Sequence, residues 1–392
     1  MNNSTVLAQC SVDPHRGFLT AEDPLRRLPP AYAHWEELVA ELPKLLGAER
    51  VHQAIDDMPE LPADALHADD ELNRAMLLLS YLGHAYVFGG TEPRPTIPAV
   101  LARPWYAVAT RLGRPPVLSY ASHALYNWRR FDPAGPIELG NLGRLVNFLG
   151  GLDEDWFVLV HVAIEAAAAP GLTAAVRAGD AVAARDAQMV TAELETIAQT
   201  IERMLSILRR MPEKCDPYIY YQRVRQFIFG WMDNPALPQG VWYEGVDAYA
   251  GRPQQFRGET GAQSSIIPAF DAVLGLDYRG DWLGDHVVEL RDYMPPLHRR
   301  FLDVLAAQPS VREFVLANAD TAPLVEAYNW AVRWSGEFRR QHLTYAGEYI
   351  RKQQQSSAAN PVEVGTGGTP FMTYLAQHVK DTERYLVAGP AQ

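Results

Sequence analysis

The stretch DAVAARDAQMVTAELETIAQTIERMLSILRRM (180–211) indicates the fold class most directly. It contains neither Gly nor Pro, and it is filled with Ala, Glu, Leu and Arg, which are good helix formers. Its apolar residues recur three and four positions apart, so that they share one face of a helix. The pattern therefore predicts one long helix across this stretch.

The same helical spacing extends outward along the chain. It recurs in WEELVAELPKLL (35–46) and in ELNRAMLLLSYLGHAYVFG (71–89). Alternating apolar and polar residues between turn signals, which would indicate strands, are scarce. The predicted fold class is therefore all-α.

A turn-rich stretch, FDPAGPIELGNLGRL (131–145), suggests where the chain divides. We expect a small N-terminal helical domain over 1–148 and a larger C-terminal domain over 149–392. Within the larger domain, residues 353–368 are rich in Gln, Ser, Ala and Gly, and we expect a mobile loop there. Composition alone is compatible with a lid and equally with plain disorder.

Charge and cysteine content exclude several classes of protein. A net charge of −12 argues against a nucleic-acid partner and against an anionic membrane surface. The two cysteines, Cys10 and Cys215, provide neither a disulfide framework nor a cysteine zinc site. The apolar segment 156–176 contains His161 and Glu165, so it is expected to be a buried core helix rather than a membrane span. A cytoplasmic protein without a secretory signal is expected.

His342 lies within a helix predicted from about Pro323 to Lys352. Aromatic residues share one helix face with His342 and form a stripe along it. A histidine on an aromatic stripe is usually a core residue, but an aromatic wall around one imidazole also suits a flat macrocycle beside its iron ligand. Arg339 and Arg340, one turn earlier, could meet anionic propionates. From the residues alone, both interpretations stay open. The aromatic residues on the same face are Trp334, Phe338, Tyr345 and Tyr349.

His161 and Glu165 lie four residues apart in WFVLVHVAIEAAAA (156–169) and share a helix face. The motif HExxH is absent and no third ligand has a fitting spacing, so a buried or cavity-facing histidine is favoured over zinc. Nucleophile-elbow, phosphate-loop and dinucleotide signatures are also missing, and GTGGT (365–369) lacks the lysine of a phosphate loop. The residues alone thus predict a large helical protein with two internal histidines.

Several longer motifs, in their order along nearly the whole chain, resemble the indoleamine 2,3-dioxygenase family. Two pairs of motifs are specific to this family when they occur together: YMPPLHR with PSVREFV, and GAQSS with a downstream FD. The motifs are HRGFL (15–19), DPLRRLPPAYAHWEEL (23–38), PPVLSYASHALYNW (115–128), FVLVHVAIEAAAA (157–169), RVRQFIFGWMDNP (223–235), GAQSSIIPAFDAVLG (261–275), YMPPLHRRFL (293–302), PSVREFVL (309–316), RRQHL (339–343) and GTGGT (365–369).

The resemblance implies a haem b held between helices of the larger domain, with O2 as co-substrate. His342 matches the proximal iron ligand, and Asp271 and Arg339 match the pair that braces the proximal side and the propionates. Arg225 matches the arginine that receives the substrate carboxylate, and Thr366 matches the loop threonine that closes over the amino acid. The residues expected at the substrate are Tyr120, Phe157, Tyr220, Arg225, Thr260, Gly261 and Thr366.

Three departures from the family pattern bear on the substrate. His161 stands where the vertebrate form has Ser, although the tryptophan 2,3-dioxygenases also have a distal histidine. Glu259 stands where Gly is usual, and Thr260 and Gly261 replace the common Ser-Ala. We expect His161 to position the indole N–H or the oxygen rather than to act as an obligatory base.

The implied function is haem-dependent opening of the indole ring of L-tryptophan, or a close indole derivative, to N-formylkynurenine in tryptophan catabolism. Two alternatives stay open: another oxidative rearrangement of a tryptophan derivative, and a haem-binding protein without turnover. Arg225 together with GTGGT favours substrate binding over the second alternative. The expected partner is a small indole amino acid, and the chain is expected to be a monomer or a weak homo-oligomer.

Overall fold

The computed structural model describes residues 3–277, 288–353, 360–368 and 371–389, and helices dominate them, so the predicted all-α class is confirmed. The α-helices are α1 (Asn3–Gln9), α2 (Ala33–Ala40), α3 (Leu42–Gly47), α4 (Val51–Asp56), α5 (Asp69–Phe88), α6 (Ala99–Leu112), α7 (Leu152–Ala167), α8 (Ala169–Ala183), α9 (Ala187–Leu208), α10 (Pro217–Ile219), α11 (Gln226–Ile228), α12 (Ile266–Leu274), α13 (Pro296–Ala306), α14 (Val311–Ala317), α15 (Ala322–Ala346) and α16 (Phe371–Glu383).

The strands are two residues long and join neighbouring loops. Strand β1 (Thr96–Ile97) pairs in parallel with β4 (Trp242–Tyr243), and β2 (Arg129–Arg130) pairs antiparallel with β3 (Leu142–Gly143). Because each pair is so short, the sheets contribute little to the core, which the helices enclose.

The prediction of one continuous helix over 180–211 is wrong, because α8 and α9 are separate. Arg185 has a φ of 56°, in the left-handed region that ends a helix. Asp186 then caps α9, its carboxylate accepting the Met189 N–H at 3.0 Å. Helix α9 folds back along α8 and also packs against α15, so it lies at the centre of the helical bundle.

Helices α7 and α8 contain the apolar segment that raised the membrane question. The stretch Leu152–Ala183 is apolar and long enough to cross a bilayer, but 67% of its most apolar window is buried inside the protein. Pro170 lies in the first turn of α8, where its missing N–H is tolerated. This burial is typical of core helices in a large helical protein.

Helix α15 confirms the predicted helix around His342. It runs from Ala322 to Ala346 and continues as a π-helical turn, Gly347–Arg351, between α9 and α16. Two further π-helical segments occur in the described residues, Ala121–Leu125 and Tyr220–Arg225. Such turns are rare and are frequently found at functional sites.

The predicted division near residue 149 falls just before α7, at Gly150 and Gly151, whose φ values of 70° and 104° suit only glycine without strain. The division into two domains stays a prediction. Of the predicted mobile loop, residues 354–359 lie outside the described residues. Residues 360–368 are largely buried against the protein, and their mobility also stays a prediction.

Candidate active site

A cavity of about 220 Å³, which we name the central cavity, lies where α7, α15 and two π-helical segments meet. The turn at Glu259–Ala262 and the segment Gly365–Gly367 close its other sides. Five residues predicted for the site line it together with the two internal histidines. Its lining residues are Phe157, His161, Leu208, Met211, Tyr220, Glu259, Thr260, Gly261, Ala262, Leu290, His342, Tyr345, Ala346, Tyr349, Ile350, Gly365, Thr366, Gly367, Leu375 and His378.

His342 lines this cavity, and its accessible surface is surface of the cavity. Protein atoms surround the imidazole on its other sides. Burial lowers the pKa of His342 to about 4, and the nearby His161 lowers it further. The imidazole is therefore neutral at physiological pH, which is the form that binds a metal ion. His342 makes no hydrogen bond within the described part of the chain, so a ring nitrogen is available as a ligand.

His161 lies on α7, and its Nδ1 is 2.7 Å from the Phe157 carbonyl oxygen. A carbonyl only accepts, so Nδ1 has the proton and Nε2 is left as an acceptor in the neutral ring. Burial lowers the pKa of His161, which favours that neutral form. The His161 ring also contacts the Phe157 ring, with centroids 4.8 Å apart.

An aromatic wall extends from Phe157 to Tyr220 and on to Tyr349, with ring centroids 4.7 Å and 5.7 Å apart. Tyr120 does not line the central cavity as the structure describes it. Its hydroxyl instead donates to Glu165 Oε1 at 2.8 Å, behind His161. The wall is thus built from fewer of the expected aromatic residues, with Tyr349 added.

Glu165 is fully buried beneath this wall. Its Oε1 accepts hydrogen bonds from Tyr120 and from Ser264, the latter at 2.7 Å. Burial raises the pKa of Glu165 to about 7, and the two hydroxyl donors lower it in part.

Zinc is not supported here, since the described residues contain no group of three or more potential metal ligands.

Arg225 is fully buried, with a relative exposure of 0%, and it does not line the central cavity, so its contact with a substrate stays a prediction. Its guanidinium donates to the Asn360 side chain and to the Val364 carbonyl, both in the segment that leads to Thr366. Within the described residues no carboxylate lies within 4 Å of it, and its Nε has no partner. Burial lowers its pKa to about 10. A cation buried in this way is costly unless an anion joins it.

The segment around Thr366 is held against the cavity by its backbone. The Thr366 carbonyl accepts from Gly230 N–H at 3.1 Å, and the Gly367 carbonyl accepts from Arg257 Nη1 at 2.6 Å. Thr260 lies beside Gly367, so the two predicted substrate-contacting segments adjoin each other. The described part of the loop therefore lies over the cavity.

Asp271 on α12 and Arg339 on α15 form the expected ion pair, with Arg339 Nη2 2.5 Å from Asp271 Oδ1. Their side chains are 18% and 6% exposed, so the pair is partly shielded from water. Burial raises the pKa of Asp271, and Arg339 offsets part of that rise. Neither residue lines the central cavity, so a contact with haem propionates stays a prediction.

Sequence reasoning missed His123, which follows Tyr120 in a buried motif. His123 Nδ1 lies 3.7 Å from Glu259 Oε1, and both side chains are almost fully buried. In the described structure the Nε2 atom of His123 has no hydrogen-bond partner. The departure at Glu259 was the available signal, but its partner is distant in sequence and only the fold brings the two together.

The residues of the central cavity fit a haem. A neutral imidazole, His342, faces a second histidine across a cavity whose other walls are mainly apolar or aromatic. Leu208, Ala346 and Ile350 line the same cavity and would supply apolar contacts to a bound macrocycle. The role of His342 as an iron ligand stays a prediction with which these surroundings are compatible.

Comparisons with known proteins identify relatives along nearly the whole chain. The model of the family described as "Indoleamine 2,3-dioxygenase" matches residues 6–385. Indoleamine 2,3-dioxygenase 2 of Homo sapiens is similar, with 34% identity covering 92% of this chain and 90% of that protein. The indoleamine 2,3-dioxygenase of Saccharomyces cerevisiae is 34% identical, covering 95% and 92%. A 6-hydroxytryptophan 2,3-dioxygenase of Fusarium equiseti is 33% identical, covering 92% of each chain.

Proposed function

Because this chain belongs to the indoleamine 2,3-dioxygenase family, and is therefore an oxidoreductase, we propose that it opens the indole ring of L-tryptophan with O2. The product is N-formylkynurenine, and haem b bound through His342 is the cofactor. We further propose that the enzyme works in the cytoplasm, in tryptophan catabolism.

The observation that best supports an amino-acid substrate is the uncompensated charge of Arg225. The guanidinium is fully buried, and none of the described residues places a carboxylate within reach of it. A ligand that brings its own carboxylate would balance this positive charge. Arginine suits this task because its planar fork binds a carboxylate through two parallel hydrogen bonds. Asn360 and Val364 now accept those hydrogen bonds, so the substrate displaces loop contacts when it binds.

The rest of the chain then orients the indole. Phe157 and Tyr220, 4.7 Å apart, supply aromatic contacts for its rings. His161 Nε2 accepts the indole N–H, because its Nδ1 proton is held by the Phe157 carbonyl. When bound, ferrous haem supplies the activation of O2. The segment at Thr366 excludes water from the cavity once the amino acid is in place.

A second candidate substrate is a tryptophan with a hydroxyl group on its benzene ring. Glu259 lines the central cavity with 2% exposure, and no Lys or Arg within the described ranges pairs with it. Together with His123 it offers a hydrogen-bond acceptor for a donor on the substrate. A similar protein is named for 6-hydroxytryptophan, which is the chemistry such an acceptor would recognise.

The deciding experiment is turnover by haem-loaded ferrous protein in air. L-tryptophan and 6-hydroxytryptophan are compared as substrates, with product formation followed by absorbance and mass. We expect ring opening of at least one of them. A haem-loaded protein that forms no ring-opened product from either would favour the haem-binding alternative, and a product other than a formylkynurenine would favour another oxidative rearrangement.

Glu259→Gly separates the two substrates. If Glu259 binds a ring hydroxyl, the variant loses catalytic efficiency for 6-hydroxytryptophan by about 10- to 100-fold, as expected when a buried acceptor loses its bond to a substrate. It should keep or improve its efficiency for L-tryptophan. Equal changes for both substrates would rule out ring recognition by Glu259.

A further inference from the structure

A second cavity, which we name the N-terminal cavity, shares no lining residue with the central cavity. It has a volume of about 870 Å³ and lies between residues 7–25, the start of α5, the end of α6 and the start of α13. None of its residues takes part in the proposed dioxygenation. Its buried polar groups indicate what it binds.

Arg114 is the main feature of the N-terminal cavity, and its surroundings resemble those of Arg225. It is 5% exposed, and its Nη2 donates to Asn73 Oδ1 at 2.7 Å. Its guanidinium lies 5.4 Å from the centre of the Tyr126 ring. The described residues place no carboxylate within 4 Å of it and no hydrogen-bond partner at its Nη1. Arg114 is therefore a buried cation with an unmatched charge.

Three more buried polar atoms of this cavity's lining residues lack partners in the part of the chain that the structure describes. They are Arg74 Nη1, Thr173 Oγ1 and His298 Nδ1. The charge of Arg74 is already matched, because Glu36 accepts from its Nε at 3.0 Å and from its Nη2 at 2.5 Å. Burial lowers the pKa of His298 to about 3, so that ring is neutral. Among the buried cations that line the cavity, the unmatched charge thus belongs to Arg114.

The carboxylates around the N-terminal cavity do not match that charge. Asp13 accepts two backbone N–H groups, and Asp23 is paired with Arg16 and Arg130. The remaining acidic residues are exposed at the rim, so they repel multiply charged anions while leaving the buried charge of Arg114 unmatched. The acidic residues at the rim are Glu22, Asp69 and Asp70.

Apolar side chains also line the N-terminal cavity. Leu297, next to His298 at the start of α13, is 42% exposed. Leu25 and Leu112 are partly buried on the same cavity. A ligand that covers these leucines would bury apolar surface that water now contacts.

We propose that the N-terminal cavity binds an organic monocarboxylate with an apolar body, its carboxylate paired with Arg114. Nη1 of Arg114, which has no hydrogen-bond partner in the described structure, is the donor left for the anion. The inference does not depend on the proposed dioxygenase activity. An aliphatic and an aromatic acid share the required chemistry, so octanoate and 3-phenylpropionate are the probes, with inorganic phosphate as an anion that lacks an apolar body.

Isothermal titration calorimetry on the full-length protein as purified tests the proposal. We expect saturable binding of at least one monocarboxylate and none of phosphate. Arg114→Leu should weaken that binding by at least about thirtyfold, the loss typical of a desolvated charge pair. The matched control is Arg111→Leu, since Arg111 lines the same cavity but is exposed and donates to the carbonyls of Ala63 and Leu66. This control should change affinity less than about threefold, as expected for an exposed charge.

Two further variants keep the outcome clear. If Arg114→Leu does not fold, Arg114→Lys retains the charge but loses the planar fork, and it should bind with intermediate affinity. Binding should persist in Arg225→Leu, because Arg225 does not line the N-terminal cavity. Weak sites bind with a Kd of about 1 mM. The proposal would be overturned if the parent protein bound neither monocarboxylate at concentrations up to about 10 mM. Equal losses in Arg111→Leu and Arg114→Leu, or loss in Arg225→Leu alone, would also overturn it.

Discussion

Replacement of Arg225 by Leu tests the link between a buried charge and substrate recognition. In the wild-type protein a fully buried guanidinium is held by a side-chain amide and a carbonyl, with no carboxylate within 4 Å in the described residues. Removing one partner of a desolvated, hydrogen-bonded charge pair costs about 2–5 kcal/mol or more. At about 1.4 kcal/mol per decade, L-tryptophan should bind roughly thirtyfold to a few thousandfold more weakly.

The assay is binding of L-tryptophan to haem-loaded protein, compared with binding of indole, which has no carboxylate. Indole should be nearly indifferent to Arg225→Leu. Arg223→Leu is the matched control, because Arg223 lies on the same π-helical segment but is exposed. Since Arg225 also holds Asn360, haem content and thermal stability are measured alongside. Equal losses for tryptophan and indole would refute carboxylate recognition and leave Arg225 a structural role.

Four further predictions concern the remaining buried groups. His342→Ala should abolish stable haem binding while circular dichroism stays helical; an unchanged Soret band would contradict the ligand assignment. His161→Ser, at matched haem occupancy, should keep ring opening within about 10- to 100-fold of the parent, because base catalysis alone would give losses up to about 10⁴-fold. Asp271→Asn should lower the free energy of unfolding by about 1–3 kcal/mol, against about 0–1 for the exposed Arg340→Leu, in urea titrations. Glu165→Gln should remove a pH dependence of the free energy of unfolding. Because the pKa of Glu165 is raised to about 7 in the folded protein, the unfolded state loses this proton first, and the wild-type free energy of unfolding falls by roughly 3 kcal/mol between about pH 4.5 and 7. A wild-type curve that is flat over that range would contradict this.

The long helix around His342 could be predicted from the sequence almost end to end. Its apolar and aromatic residues keep one period, and Ala322–Ala346 with its π-helical extension matches the prediction. The break at Arg185 could not be predicted in the same way, because arginine is a good helix former. The left-handed turn there lets α9 fold back on α8, and only that tertiary packing compensates for its conformational cost.

The candidate site was harder to predict than the fold because its residues come from interruptions in regular helices. Tyr120 precedes one π-helical segment, Tyr220 and Arg225 lie on another, and Tyr349 lies on the third. A π-helical turn inserts a residue, so side chains after it no longer follow the spacing that predicts a shared face. Periodicity therefore identifies the helices that hold the site, whereas the directions of these side chains follow from the packing of those helices around the central cavity.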